Sequence, residues 1–190
     1  MKVLTITTQY INNMGALLQC YALSTFLNQQ DGVECEVIQY FPKGWKATWN
    51  VIHKPRTFRD VVKMLFELAN IKNTIQRRKR NQKTRLFIKN NIKTTKETYF
   101  SQTSILDNPP LADVYICGSD QIWNRMIFHD DTYFLSFTKD LSCKRIAYAP
   151  SIAEDWTKEE AISLKPYIDN FDALSIREFG NLECIKSITN

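Results

Sequence analysis

Polar and apolar positions switch between two periods along the chain. Val3-Leu4-Thr5-Ile6-Thr7 is a short β-rich run, followed by Gln9-Tyr10-Ile11-Asn12-Asn13-Met14-Gly15 as a turn-like loop. Over residues 16–27 apolar side chains cover one broad helical face, and Asp31-Gly32 stops that helix. Cys35-Glu36-Val37-Ile38-Gln39-Tyr40 then returns to the two-residue period of a strand. Strand, loop, helix and strand within about forty residues form the βαβ unit of a parallel sheet, with a right-handed crossover.

The alternation resumes downstream. Residues 113–117 read as a buried strand running into Gly118-Ser119-Asp120-Gln121, and residues 144–149 as another, ending in Pro150-Ser151. Residues 157–168 predict an acid-first helix, with Thr157 as N-cap and Glu160 as its capping-box partner. Ala173-Leu174-Ser175-Ile176 is a fifth strand, and Arg177-Glu178 opens a last helix. The predicted fold class is α/β, an open doubly wound parallel sheet of Rossmann-like type. Ligands of such sheets collect outside the carboxyl ends of the strands. Polar residues gather at those ends here: Asn13 and Gly15, then Gly118, Ser119, Asp120 and Gln121, then Ser151, then Arg177.

Between the two blocks the period is helical. Phe58, Val61, Val62, Leu65, Leu68 and Ala69 recur at spacings of three and four, after a start signal at Pro55. The stripe thins through Ile71 and Ile75 and resumes at Leu86, Phe87 and Ile92. This predicts a helical insertion over residues 56–96 within one Rossmann-like domain spanning 1–190.

Charge sharpens that picture. The 190 residues carry 25 Lys+Arg and 20 Asp+Glu, for a net +5, but residues 72–96 hold ten bases and no acid. Subtracting those ten leaves −5 on the remaining 165 residues. The run from Arg77 to Lys89 reads either as a contact to nucleic acid, a phosphorylated substrate or an anionic membrane surface, or as a solvated helical hairpin whose long stems cover apolar surface. The second is favoured, because no recognised nucleic-acid module accompanies the run. Trp45 and Trp49, just before it, serve equally as interface anchors or as packing.

Composition excludes several classes. With 44% hydrophobic and 24% charged residues the chain is neither disordered nor fibrous. No run of about 18 apolar residues occurs, and the first residues turn polar too soon for a secretory signal. Five cysteines without a C-x-x-C pair suggest neither a disulfide framework nor a zinc site, so a reduced, cytoplasmic compartment is expected.

The candidate chemistry is concentrated in a few places. Asn13-Met14-Gly15 opens a helix whose N–H groups and dipole favour a phosphate or carboxylate, or else simply makes a tight turn. With no G-x-G-x-x-G and no P-loop, a dinucleotide cofactor is not expected. In Gly118-Ser119-Asp120-Gln121-Ile122-Trp123-Asn124, Asp120 serves as a general base or hydroxyl-orienting group, or caps the following turn. Ser119 lacks a nucleophile motif and Trp123 reads as core. His129-Asp130-Asp131 reads as a polar loop rather than a metal cluster, and His53 as structural. Arg177 suits a carboxylate or phosphate, or an ion pair with Glu178.

Together these stretches resemble the polysaccharide pyruvyl transferase family. The resemblance is carried by residues 13–23 (NMGALLQCYAL), 37–40 (VIQY), 118–124 (GSDQIWN), 145–152 (RIAYAPSI) and 174–178 (LSIRE), in the family's order. Met14 stands where the family often has an aromatic residue and Ala153 where it often has glycine. The resemblance implies a domain of a glycosyltransferase-B-like enzyme that moves the pyruvyl unit of phosphoenolpyruvate onto a sugar of a cell-surface polysaccharide precursor. It implies substrate contacts through Asn13, Gly15, Gly118, Ser119, Asp120, Gln121, Asn124, Ser151 and Arg177, with Asp120 the catalytic candidate and no cofactor or metal. In the family a second α/β domain supplies a histidine and basic residues at the donor. Nothing between Arg177 and Asn190 matches them. The expectation is an N-terminal domain that binds acceptor, is inactive by itself, and works in the cytoplasm or at the inner face of the membrane through its basic segment. The alternatives are a non-catalytic sugar- or anion-binding module, a glycosyltransferase-like domain completed by another chain, and, least favoured, a nucleic-acid binder.

Overall fold

The computed structural model describes residues 1–10, 13–42 and 71–186, together with Thr57, Arg59 and Val62. The stripe over residues 58–69, apart from Arg59 and Val62, and Trp45, Trp49, His53 and Pro55 lie outside the described residues.

Six parallel strands form one sheet: β1 (Lys2–Ile6), β2 (Glu34–Tyr40), β3 (Thr94–Tyr99), β4 (Val114–Asp120), β5 (Lys144–Pro150) and β6 (Ala173–Leu174). Their spatial order is β3-β2-β1-β4-β5-β6, so the chain reverses direction across the sheet between β1 and β4. That is the doubly wound arrangement the alternation predicts.

The helices divide between two faces. α1 (Met14–Asn28) and α2 (Ile71–Asn91) belong to the leftward crossovers, and α3 (Gln102–Asp107) and α4 (Lys158–Ile168) to the rightward ones. Two 3-10 turns, Asp131–Phe134 and Ser136–Thr138, fill the link from β4 to β5, and a short α5 (Leu182–Lys186) ends the described chain. Alternate strand residues sort accordingly. Val3, Cys35 and Val37, with Val114 and Ile116, pack toward Leu17, Cys20, Leu23 and Ile88. Leu4, Ile6, Ile38 and Tyr40, with Tyr115 and Cys117, join the larger core of Trp123, Phe134, Trp156 and Leu164. Trp123 is buried in that core, stacked on Phe134 with ring centroids 4.9 Å apart.

Local sequence accounts for the ends of several elements. Thr157 accepts from Glu160 N at 3.2 Å while the Glu160 carboxylate accepts from Thr157 N at 2.9 Å, the capping box expected from the sequence. The basic segment does not stay helical over its predicted length. α2 ends at Asn91, Lys93 lies in the link, and Lys96 sits within β3. The segment therefore feeds an edge strand of the sheet. Only Asn81, Thr84 and Ile88 of α2 are buried, at helical spacing, while all eight of its basic residues are exposed. The last strand is shorter than expected, pairing only through Ile146–Ala173 and Ala147–Leu174.

None of the five cysteines forms a disulfide among the described residues, and Cys20, Cys35 and Cys117 are buried. Among the described residues no helix is long and apolar enough to cross a membrane.

Candidate functional site

The reversal point of a doubly wound sheet leaves a crevice beyond the carboxyl ends of the two central strands. Here those strands are β1 and β4, in register through Ile6–Cys117. Beyond that pair the chain turns polar on both sides. Thr7 Oγ1 donates to the Ser119 carbonyl at 2.9 Å, and Thr8 Oγ1 donates to Asp120 Oδ2. Gln19, one turn into α1, donates through Nε2 to Thr7 Oγ1 at 2.8 Å, and its Oε1 accepts from Ser119 Oγ at 3.0 Å. Thr7 and Thr8 are buried, and Gln19, Ser119 and Asp120 are half-buried. The result is a connected network that fixes the start of α1 to the end of β4.

Gly118 makes this path possible. Its φ is +116°, and a Cβ there would lie 2.1 Å from the Tyr148 carbonyl oxygen of β5. Only glycine permits that approach. Two residues on, Asp120 adopts φ 89°, a sparsely populated region for a residue with a side chain. It is held there from three sides. Thr8 binds Oδ2, Gln121 N donates to Oδ1 at 2.9 Å, and Ser151 N donates to the Asp120 carbonyl at 2.8 Å. The carboxylate thus caps its own turn and is also oriented by a buried hydroxyl.

The remaining sequence-predicted residues divide by accessibility. Asn13, Gly15, Gln121 and Arg177 are exposed, whereas Gly118, Asn124 and Ser151 are buried. Asn13 is the N-cap of α1, its Oδ1 accepting from Gly15 N at 2.8 Å. A Cβ on Gly15 would come 3.2 Å from that oxygen, so glycine lets the cap close. Asn124 accepts from Met126 N at 3.0 Å and shapes the turn after β4. The Ser151 backbone ties the β5 end to β4 through Asp120, and its carbonyl accepts from Trp123 N at 3.2 Å. Arg177 N donates to the Pro150 carbonyl at 3.1 Å, which sets the loop after β6 beside the end of β5. Its guanidinium makes no ion pair among the described residues, with Glu178 or any other acid.

Three buried polar atoms flanking this edge have no hydrogen-bond partner: Gln9 Oε1 after β1, Ser151 Oγ after β5 and Glu178 Oε2 after β6. Buried polar atoms left without a partner are costly, and each calls for a ligand, an ordered water or a strained local structure. Cys117, directly beneath Gly118, is not a nucleophile, because burial pushes its thiol well above the usual range. Ser119 is not activated either, since its hydroxyl donates to an amide oxygen rather than to a base.

His129-Asp130-Asp131 is the polar loop it resembles. Asp130 caps the first 3-10 turn, accepting from Thr132 N at 2.8 Å and from the Tyr40 hydroxyl, and burial raises its carboxyl above the ordinary range. Asp131 pairs with Arg125 at 3.0 Å. Among the described residues no group of three metal-ligating side chains converges.

Sequence reading missed Thr7, Thr8, Gln9 and Gln19. The signal was the switch from apolar to Thr-Thr-Gln at the end of β1, and the placement of Gln19 one helical turn after Gly15.

The fold and this edge define a doubly wound α/β domain with a cluster of polar residues at its reversal point. A family model described as polysaccharide pyruvyl transferase matches residues 13–188, nearly the whole chain, and the protein belongs to that family. No curated protein and no solved structure matches it.

Proposed function

We propose that this protein binds the sugar acceptor of a pyruvyl transfer reaction in the β1–β4 crevice, with phosphoenolpyruvate as the donor. The observation that carries the reading is Asp120, a carboxylate held by Thr8 and Gln121 at the reversal point, with the unpaired Arg177 guanidinium in the loop beside the neighbouring strand end. A ketal forms when two sugar hydroxyl oxygens bond to C2 of phosphoenolpyruvate and its C2–O phosphate bond breaks. One hydroxyl proton ends on C3, making the methyl group, and the other leaves with phosphate. Asp120 suits the role of base for an acceptor hydroxyl, the amide of Gln121 orients the sugar, and Arg177 meets a carboxylate or phosphate.

Among the described residues the crevice offers one cation and no imidazole. That is too little to bind a phosphorylated donor and protonate C3, so this edge binds acceptor without turning it over. Transfer then requires a second α/β unit, facing this edge in the manner of a glycosyltransferase-B enzyme. The reaction belongs to the cytoplasm. α2 lies against the anionic inner face of the membrane, with Ile71, Ile75 and Leu86 exposed among its eight basic residues.

The test incubates the chain with phosphoenolpyruvate and a panel of hexose and N-acetylhexosamine glycosides. Phosphate release and the ketal methyl signal are followed by NMR, and glycoside binding by saturation transfer. The expected result is glycoside binding that Asp120→Ala weakens in a domain that stays folded, with a melting temperature lowered by the lost cap of about 0.5–2 kcal/mol, and no phosphate release. Pyruvyl transfer by the isolated chain would overturn the claim of inactivity, and binding unaffected by Asp120→Ala would return that residue to a purely structural role.

A further inference from the structure

On the sheet face away from α1, the helices α3 and α4 leave a groove of about 330 Å3 between them. It is separate from the β1–β4 crevice. None of Thr8, Ser119, Asp120, Gln121 or Arg177 lines it. Phe134 and Leu135 form an apolar floor, and Leu106, Pro166 and Tyr167 form the walls.

The polar groups in this groove are poorly matched by the protein itself. Ser136 is 9% exposed, and its hydroxyl has no hydrogen-bond partner. Lys139 makes no ion pair among the described residues. The Arg145 guanidinium is held by neutral acceptors alone: Thr138 Oγ1 at 2.8 Å, the Leu141 carbonyl at 3.0 Å, the Cys143 carbonyl at 3.4 Å, and the Thr138 carbonyl. These bonds fix the group in place, and the carboxylate near it is that of Asp172, which accepts from the Arg145 backbone N at 2.9 Å and pairs directly with Lys144. No aspartate or glutamate lines the groove. Two acids stand next to the lining, Asp131 beside Tyr167 and Asp172 at the Arg145 backbone N. Asp131 binds Arg125 at 3.0 Å, and Asp172 binds Lys144 at 2.7 Å.

A concave, partly apolar site whose lining holds two cations and no acid concentrates positive potential, and an orphaned hydroxyl at its floor offers a donor. We infer that the groove between α3 and α4 is a second ligand site, which takes a small organic anion. The head group, a carboxylate or a phosphate ester, meets Lys139, Arg145 and the Ser136 hydroxyl. An apolar body of modest size lies on Phe134 and against Tyr167. The volume is at the small end of the range for ligand pockets, roughly 300–1,000 Å3. This inference is independent of the function proposed for the crevice.

The test titrates the whole chain with phenyl phosphate, benzoate and neutral benzyl alcohol, reading amide chemical shifts by NMR. Tryptophan fluorescence gives a second readout, because Trp123 stacks on Phe134 with centroids 4.9 Å apart. The expected result is saturable shifts at the Ser136, Lys139 and Tyr167 amides with both anions, and binding of the alcohol at least about tenfold weaker. Lys139→Ala, an exposed substitution, weakens the anions by about threefold or more and leaves the alcohol unchanged. Ser136→Ala weakens them as well. Tighter binding of phenyl phosphate assigns a phosphate ester head group, and tighter binding of benzoate assigns a carboxylate. Shifts that never saturate at those amides, equal affinity for the alcohol, or indifference to Lys139→Ala overturns the proposal.

Discussion

Replacing Gly118 with alanine tests the architecture that presents Ser119 and Asp120. The added Cβ meets the Tyr148 carbonyl oxygen at 2.1 Å and the carbonyl carbon at 3.0 Å, and the oxygen contact is far inside the 3.0 Å that real Cβ atoms respect. The atoms it strikes are backbone of the adjacent strand, paired to Gly118 in the sheet register, so they have no rotamer through which to retreat. Two costs combine. A side chain at φ +116° adds roughly 1–2 kcal/mol, and overpacking against a neighbouring strand adds roughly 1–3 kcal/mol, for about 2–5 kcal/mol together. A domain of this length loses roughly 2–4 °C in Tm per kcal/mol, so the variant should melt about 4–20 °C lower. Circular dichroism melts at 222 nm, repeated in urea, read this directly. Trimming the half-exposed Tyr148 to alanine in the same chain gives no rescue, because the obstacle is the main-chain oxygen rather than the ring. A Gly118→Ala melting temperature within about 2 °C of the parent, or full rescue by Tyr148→Ala, would refute the reasoning.

Other consequences are more local. Burial holds the Asp130 carboxyl above its ordinary value of 3.8, so the folded state binds more protons than the unfolded one in the window between that value and the raised one. Stability therefore falls as pH rises through the window, and Asp130→Asn should flatten the stability–pH profile there, as read by urea melts. A profile unchanged by the substitution contradicts the assignment. Ellman's reagent at pH 8 should label Cys143 and Cys184 in the native protein and spare the three buried thiols, with Cys20 pushed up to about 12 and Cys35 to about 11. Native labelling of Cys20 ahead of Cys143 would argue against the packing of α1. The chain should sediment with phosphatidylglycerol vesicles at low salt and leave them as salt rises, since each surface-bound base contributes about 1 kcal/mol before screening. Equal retention on neutral vesicles removes the membrane role of α2.

Much of the fold was legible because its signals are local. The Thr157–Glu160 capping box, the Asp31-Gly32 stop and the alternation of Cys35 to Tyr40 each reside within a few residues, and each lies where the periodicity places it. β3 was not legible. Thr94–Tyr99 reads TTKETY, and only Thr95 and Tyr99 are buried. An edge strand of that composition has no apolar signature, and it fell at the end of a basic run that favours a helix. β6 is the opposite case. Its four-residue run looked like a full strand, but only Ala173 and Leu174 find partners on β5, and Ile176 falls beyond the pairing.

The site divides in the same way. The carboxyl-end clustering of Gly118 to Gln121 followed from the topology alone, as did the reading of Trp123 as core. The links from Thr8 to Asp120 and from Gln19 to Ser119 span 112 and 100 residues, so no local pattern encodes them. For Asn13 the bland alternative describes its side-chain oxygen, which is committed to capping α1. For Arg177 the ion pair with Glu178 is not made, which leaves the guanidinium available to a ligand.

The central claim is that the crevice at the β1–β4 reversal receives the sugar. Amide shift mapping of the labelled chain against a glycoside that binds by saturation transfer tests it most directly. The account predicts perturbations at Gly15, Ser119, Asp120 and Gln121, abolished by Asp120→Ala in a chain whose amide spectrum shows it still folded. Shifts that bypass these amides and collect elsewhere on the sheet would contradict it.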